Sequence, residues 1–390
     1  MRPDRIPTLL CCPVRQFPAM SRFFAFWGMI LLPLLFAPAA RPAFSSLYIF
    51  GDAVSATTNN ITGSTNYYGK RYSNGRNWVE VLAQRQGFGA TSLTSTNWNF
   101  SSNNLSFYGH YSYLFVTNVN NFTAPPNATN CLFIVWVANA DFVEDIANNG
   151  TGTNLVAWTN AVNQHLTNHF RALTNLYAKG MRTLIAPNAV DLTKIPQYNS
   201  SPANYRAFVR QRIIEFNNGY ANRLNQIRTN SPGLTIITPD IFALLDDLQT
   251  NAKNYGLTNV LDDTFNITSA LQNLLPTQWA LNGPGTNYIW WGPISPSARF
   301  HEVIADTAQQ LLSPVNLVGI TPINTSNQLQ LVNAPVGMNG TVLYLNDLAQ
   351  TNWLTNSVFT VTNVAQTTFV NPTNAQRFYS LKFPWQWTWP

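Results

Sequence analysis

Between residues 46 and 312, short apolar runs alternate with longer stretches of helical periodicity. Residues 46–51 (SLYIFG) form an apolar run that ends at Asp52. In residues 76–86, Trp78, Val81 and Leu82 fall at i, i+3 and i+4, one stripe of a helix. Residues 105–108 read as a weak second strand. Residues 131–137 (CLFIVWV) are uninterrupted apolar, the pattern of a strand covered on both faces. A long helical pattern follows over 155–178, with Gly180 placed to cap it. Residues 182–186 and 234–238 read as strands, separated by a helix over 205–229 that stops near Ser231-Pro232-Gly233. Residues 241–249 and 296–312 complete the helical set. Strands alternating with helices predict an α/β fold with a parallel sheet. Beyond Ser313-Pro314 helical periodicity stops. Short β-rich segments (GTVLYL, SVFTVTNV, QTTFVN, RFYSLKF) predict a small C-terminal all-β domain, and the alternating Trp385, Trp387 and Trp389 read as a strand capping it. The boundaries expected are 1–40, 41–314 and 315–390.

Composition narrows the classes. Of 390 residues, 45 % are hydrophobic and only 10 % charged, against about 25 % charged in an average soluble domain. A charge-solvated disordered chain is excluded, and so is a nucleic-acid binder, which needs clustered Lys and Arg. The formal charge of +6 is partly local. Removing Arg2, Arg5, Arg15, Arg22 and Asp4 leaves +3 on the rest.

Residues 1–40 carry those arginines and the uncharged run 23–36, with Ala37-Pro38-Ala39 after it. A basic flank, an apolar stretch and a small-x-small site make a secretory signal, with Met20 a second candidate start. The run is shorter than the roughly 20 residues a spanning helix needs, so no stable membrane span is expected once the signal is removed. The expected location is outside the cell, in the periplasm or in the cell envelope. Cys11 and Cys12 leave with the leader and Cys131 remains alone. An intrachain disulfide and a cysteine-based zinc site are therefore not expected, and no cofactor or metal is called for.

Five blocks along residues 44–313 occur in the order of a known family. Phe50-Gly51-Asp52-Ala53-Val54-Ser55 resembles F-G-D-S-L-S. Arg71-Tyr72-Ser73-Asn74-Gly75 with Trp78 resembles R-[FY]-S-N-G-x-x-W. Residues 104–109 resemble N-[FY]-A-x-G-G. Residues 136–142, from Trp136 through Asn139, Ala140 and Asp141, resemble W-x-G-A-N-D-[FY]. Trp291-Gly292 with Ser295-Pro296 and His301 resembles W-D-x-x-H-P-T-x-x-x-H. Together they resemble the GDSL, or SGNH, hydrolases. The resemblance implies a three-layer α/β/α sandwich with a flavodoxin-like sheet. It also implies ester hydrolysis by a Ser nucleophile, a His base and an orienting Asp, with a Ser backbone amide, a Gly amide and an Asn side chain forming the oxyanion hole.

The departures fall on the reactive positions. The nucleophile position is Ala53, the oxyanion Asn position Ala140, the Asp position Gly292 and the His position Ser295. Gly109 alone is kept, and it contributes a backbone amide. The scaffold around the site is kept at Gly51, Asp52, Asp141, Trp291, Pro296 and His301. Loss of the nucleophile or base alone costs a serine hydrolase about 10⁶ in turnover. The resulting expectation is a secreted bacterial pseudoenzyme that retains a binding cleft for an acyl-ester or glycan ligand. One alternative is an active esterase using displaced groups, with Ser55, His110 and Asn139 the candidates. Another is a structural envelope or surface protein. His165 and His169, four apart, read as a polar helix face. The segment 340–383 is similar to small β-modules at the ends of secreted bacterial enzymes.

Overall fold

The computed structural model describes residues 44–57, 67, 71–88, 103–263, 287–371 and 377–384. The expected leader and the terminal tryptophans lie outside these. Four strands make one parallel sheet in the order β1-β2-β3-β4: β1 (Leu47–Gly51), β2 (Leu132–Trp136), β3 (Thr183–Ile185) and β4 (Thr235–Ile237). β1 and β2 pair from Leu47↔Leu132 to Gly51↔Trp136, which brings their C-terminal ends level. All five residues of β2 are buried, as an unbroken apolar run between covered faces requires.

Residues 105–108 correct the sequence expectation. They form no strand of their own, although they do lie along β1. Leu105 N–H donates to the Ile49 carbonyl at 2.8 Å and Phe107 N–H to that of Gly51 at 3.2 Å. Those carbonyls alternate with the ones β2 uses, so this segment occupies the opposite edge of β1. Asn104 limits the pairing. Its amide donates to the Ser55 carbonyl and to Thr57 Oγ1, and its Oδ1 accepts from Ser106 N–H, so local bonds compete with the ladder.

The helices are α1 (Trp78–Arg85), α2 (Ser112–Asn121), α3 (Ala138–Asn149), α4 (Leu155–Ala178), α5 (Ala203–Asn230), α6 (Ile241–Thr250) and α7 (Ala298–Leu312). α1 packs on α7, while α2 and α5 both pack on α4. α1 starts with a reciprocal cap. Asn77 Oδ1 accepts from Glu80 N–H at 3.3 Å, and Glu80 Oε2 accepts from Asn77 N–H at 2.9 Å. Glu80 is also paired with buried Arg71.

A small sheet precedes α7. β5 (Asn259–Asp263) runs parallel to β6 (Tyr288–Gly292), which turns back through β7 (Ser295–Pro296). The helix expected from residue 296 therefore begins two residues later, with Ser297 Oγ accepting from Phe300 N–H at 3.2 Å. After Ser313 the chain forms two antiparallel three-stranded sheets from β8 (Asn316–Ile323), β9 (Ser326–Val332), β10 (Asn339–Leu345), β11 (Leu354–Thr360), β12 (Ala365–Val370) and β13 (Phe378–Lys382). Leu329, Leu331, Met338, Val342 and Phe383 centre a second hydrophobic cluster there, distinct from the main core. Among the described residues no helix is long and apolar enough to cross a membrane.

Candidate functional site

A cleft opens beyond the C-terminal ends of β1 and β2, where parallel sheets place their sites. Three of the five reactive positions expected from the sequence, Ala53, Gly109 and Ala140, line it together with the scaffold residue Pro296. Ala53 begins a single 3₁₀ turn directly after β1, and Asp52 caps that turn by accepting from Val54 N–H at 3.0 Å. Gly109 sits in the turn before α2 with φ +74°, a left-handed conformation that favours glycine. Ala140 lies in the first turn of α3, and Pro296 in β7. All four line the cleft, with Asp52, Asn139, Tyr108, Tyr111, Trp136 and Trp290 among the rest. The cavity volume is about 70 Å³ and its lining is mostly apolar. That is about half the 150 Å³ of a cavity that admits benzene.

Gly292 and Ser295 do not line the cleft. They face each other across the β6–β7 turn, and Ser295 is buried. Trp290 reaches the cleft, while Trp291 is fully buried and does not line it, as alternation along a strand requires.

Ser55 and His110 are held elsewhere by other partners. Ser55 Oγ accepts from Trp78 Nε1–H at 3.0 Å under β1. His110 Nδ1–H donates to the Gly51 carbonyl at 2.9 Å, and its Nε2 accepts from the Asn118 amide at 3.0 Å. Its ring stacks on Phe107 at 4.2 Å. Burial depresses its pKa to about 4, partly offset by the Gly51 bond. Both imidazole nitrogens are thus engaged, and neither residue lines the cleft. His301 is likewise internal: its Nδ1 accepts from Trp78 N–H at 3.2 Å, and burial lowers its pKa to about 3.

Two kinds of polar group remain at the cleft. The backbone N–H groups of Ala53 and Gly109 donate no hydrogen bond among the described residues. Asp52 Oδ2 and Asn139 Nδ2 are both buried, and the Asn139 amide bears on the Asp52 carboxyl. Asn139 Oδ1 is occupied by Val190 N–H at 3.0 Å. Burial raises Asp52 to about 7, with the Val54 amide, Asn139 and the Ala140 amide pulling it back.

Behind the cleft wall lies a cluster that sequence reasoning misses. Asp141 Oδ1 accepts from Ser112 N–H at 2.7 Å and so caps α2 from another helix. Ser112 Oγ lies 3.3 Å from His165 Nδ1, and His165 Nε2 lies 2.9 Å from Asp145 Oδ2. The connectivity is that of a Ser-His-Asp triad, but Ser112 is fully buried and does not line the cleft. No substrate reaches its oxygen. Burial raises Asp141 to about 7, with His165 opposing. The polar-face reading of His165 and His169 is corrected, since both are buried. The signal is present in the chain: Trp158, Val162, His165, His169, Ala172 and Leu176 recur at spacings of four and three along the inward stripe of α4.

Among the described residues no group of three or more His, Cys, Asp or Glu is placed to hold a metal ion. No family model matches the chain, and no curated protein matches it. Solved structures that match include a gut microbial diltiazem-metabolizing enzyme, at 9 % identity and TM-score 0.32, covering 80 % of this chain and 69 % of that one. A similarity at that level bears on neither the fold nor the activity of this chain.

Proposed function

We propose that this is a secreted bacterial protein of the GDSL, or SGNH, type that keeps the cleft of an ester hydrolase without its chemistry. Its fold in this reading is the three-layer α/β/α sandwich with a flavodoxin-like sheet. The segment at 104–107 on the outer edge of β1, followed by β1-β2-β3-β4, supports that strand order. The packing of α1 with α7, and of α2 and α5 with α4, supports two helical layers.

One observation carries the functional reading. Ala53 and Gly109 line an apolar cleft and their backbone N–H groups donate no hydrogen bond among the described residues, while the positions that would supply nucleophile and base hold Ala53 and Ser295. Paired N–H donors receive a carbonyl or carboxylate oxygen. A methyl at Ala53 cannot attack that carbonyl, and Ser295 is no base. The ligand in this reading is an acyl group, whose apolar part suits the mostly apolar lining.

The test pairs turnover with binding. Full-length protein should not hydrolyse p-nitrophenyl acetate above buffer, and propionate should quench the fluorescence of Trp136 and Trp290 at the cleft. Saturable turnover that persists in Ala53→Val would contradict a cleft-based reading. Turnover abolished by Ser55→Ala would favour an active enzyme with displaced groups. Absence of propionate quenching would favour a structural role.

A further inference from the structure

A second pocket lies at the same end of the parallel sheet as the cleft, where Ala186 and Thr238 follow the last residues of β3 and β4. Its other wall is α5, which presents Asn217, Tyr220, Leu224 and Arg228 at i, i+3, i+7 and i+11, one helical stripe. The cavity volume is about 370 Å³, against about 70 Å³ for the cleft, and falls in the range of about 300–1,000 Å³ for small-molecule sites. No residue belongs to both linings. The chain after β3 separates them: Asn188 lines the pocket, and its carbonyl accepts from Nε1–H of Trp136, a cleft residue, at 2.9 Å.

Three groups in this pocket lack the partner their chemistry calls for. Tyr220 is only 2 % exposed, yet among the described residues its hydroxyl makes no hydrogen bond. Phe216 stacks on its ring at 5.6 Å and His169 meets it edge-on at 5.2 Å. Burial alone raises its pKa, so the phenol stands in the lining as a protonated donor. Arg228 donates from Nη1 to Asn225 Oδ1 at 2.6 Å and from Nη2 to the Ile236 carbonyl at 3.3 Å, both neutral oxygens. Asp240 takes both of its bonds on Oδ1, from Ala243 N–H at 2.9 Å and from the Asn188 amide at 2.7 Å. Among the described residues neither Arg228 nor Asp240 forms an ion pair. One pocket thus carries a guanidinium and a carboxylate, each without a counter-charge.

Those opposite charges restrict the ligand. An anion alone is attracted by Arg228 and repelled by Asp240, and a cation alone the reverse. A neutral ligand would displace water from both charges and pair neither. A zwitterion pairs both at once. Ala186, Ala221, Leu224 and Pro239 form the apolar part of the lining, which suits an aliphatic side chain. We infer that the pocket between α5 and the ends of β3 and β4 binds a small zwitterion of amino-acid type, its carboxylate on Arg228 and Tyr220 and its ammonium on Asp240. The inference goes beyond the acyl cleft and does not depend on it. No covalent step is involved.

The experiment is isothermal titration calorimetry of the full chain with leucine and leucyl-leucine, and with leucinamide and 4-methylpentanoate, which lack the carboxylate and the ammonium respectively. At least one zwitterion is expected to bind saturably, and each single-charge analogue about tenfold more weakly or worse, as the loss of a charge-assisted contact requires. Tighter binding of leucine identifies a free amino acid, and tighter binding of leucyl-leucine a peptide. The cleft can also take 4-methylpentanoate, so its affinity for this pocket is read as the part lost in Arg228→Gln. Arg228→Gln should weaken the zwitterion about ten- to hundredfold and Tyr220→Phe about two- to tenfold. Arg228 is exposed, and far-UV circular dichroism checks that its replacement leaves the fold intact. Without ligand, Tyr220→Phe should not lower the melting temperature, because the hydroxyl it removes has no partner; a fall would overturn the role of that hydroxyl in the pocket. Three results would overturn the inference as a whole: no saturable binding of either zwitterion, a single-charge analogue that binds this pocket as tightly as the zwitterion, or unchanged binding in both variants. Propionate quenching at the cleft is expected in both variants, so the two readings fail separately.

Discussion

Ala53 is one carbon of side chain at the end of β1, and adding a hydroxyl there would not make a nucleophile. A serine hydroxyl needs a base within about 2.6–3.2 Å. His110 is committed to the Gly51 carbonyl and Asn118, and Ser295 is buried in the β6–β7 turn. Ala53→Ser is therefore expected to stay inactive and to resist a fluorophosphonate probe, and strong labelling would reveal a base in reach. Asp52 carries a second residue-scale prediction. The fold holds its carboxyl at about 7, against an ordinary value of 3.8, so the native state favours the protonated form. Its contribution to stability is therefore fullest below about pH 4 and declines as pH rises through 7, by on the order of 4 kcal/mol. Asp52→Asn keeps a capping oxygen, so its melting temperature should fall less between pH 5 and pH 8 than that of the unmodified protein. His301 acts in the opposite sense. Its pKa near 3 keeps it neutral in the fold, so its contribution is present above about 6.5 and is lost as pH falls toward 3. Removing Asp52 should therefore leave acid-side losses more visible in the same melts.

Elements are legible where their stabilisation is local. The stripe of α1 and its Asn77–Glu80 cap lie within one short segment, and β2 announces itself by five consecutive apolar residues. Periodicity does not foretell α2 and α3. α2 reads SYLFVTNVNN, rich in β-branched residues and Asn, which are modest helix formers. Its N-terminus is satisfied by Asp141, which lies 29 residues away in the chain, and its face is covered by α4. α3 begins one residue after β2, so its apolar positions merge with the strand. Close packing between elements supplies another prediction. A Cβ at Gly75 would stand 2.7 Å from the Ala298 Cβ at the start of α7. Gly75→Ala should destabilise by about 1–3 kcal/mol through overpacking, read as a lower midpoint in urea with an unchanged slope.

At the scale of the whole molecule, the two hydrophobic clusters meet across a polar seam. Arg85, at the end of α1, donates from Nε to Asp306 at 3.1 Å and from Nη1 to the Val336 carbonyl at 3.4 Å. Val336 N–H returns a bond to the Arg85 carbonyl at 3.2 Å. One buried side chain thus ties the β-module to the α1–α7 pair. Because the module has its own cluster, residues 41–314 expressed alone are expected to fold and resist limited proteolysis. Failure to do so would show that the seam, and not the sequence boundary at Pro314, sets the cooperative unit. Arg85→Ala in the full chain is expected to destabilise by about 1–3 kcal/mol, because it removes the bonds to Asp306 and to the Val336 carbonyl while Arg299 still bears on Asp306.

The alternation of apolar runs with helical stripes determined the α/β character and the change to β structure after Pro314, because hydrophobic periodicity depends only on chain order. The same order placed Ala53, Gly109 and Ala140 at the ends of elements, and the tertiary structure gathered them around one cleft. Only the tertiary structure decided which groups could act there. It turned Gly292 and Ser295 into a hairpin outside the lining, and bound Ser55 and His110 to partners under and beside β1. It also enclosed His165 with Asp145 and Ser112. Those outcomes depend on hydrogen bonds between residues tens of positions apart, and no local pattern along the chain encodes them.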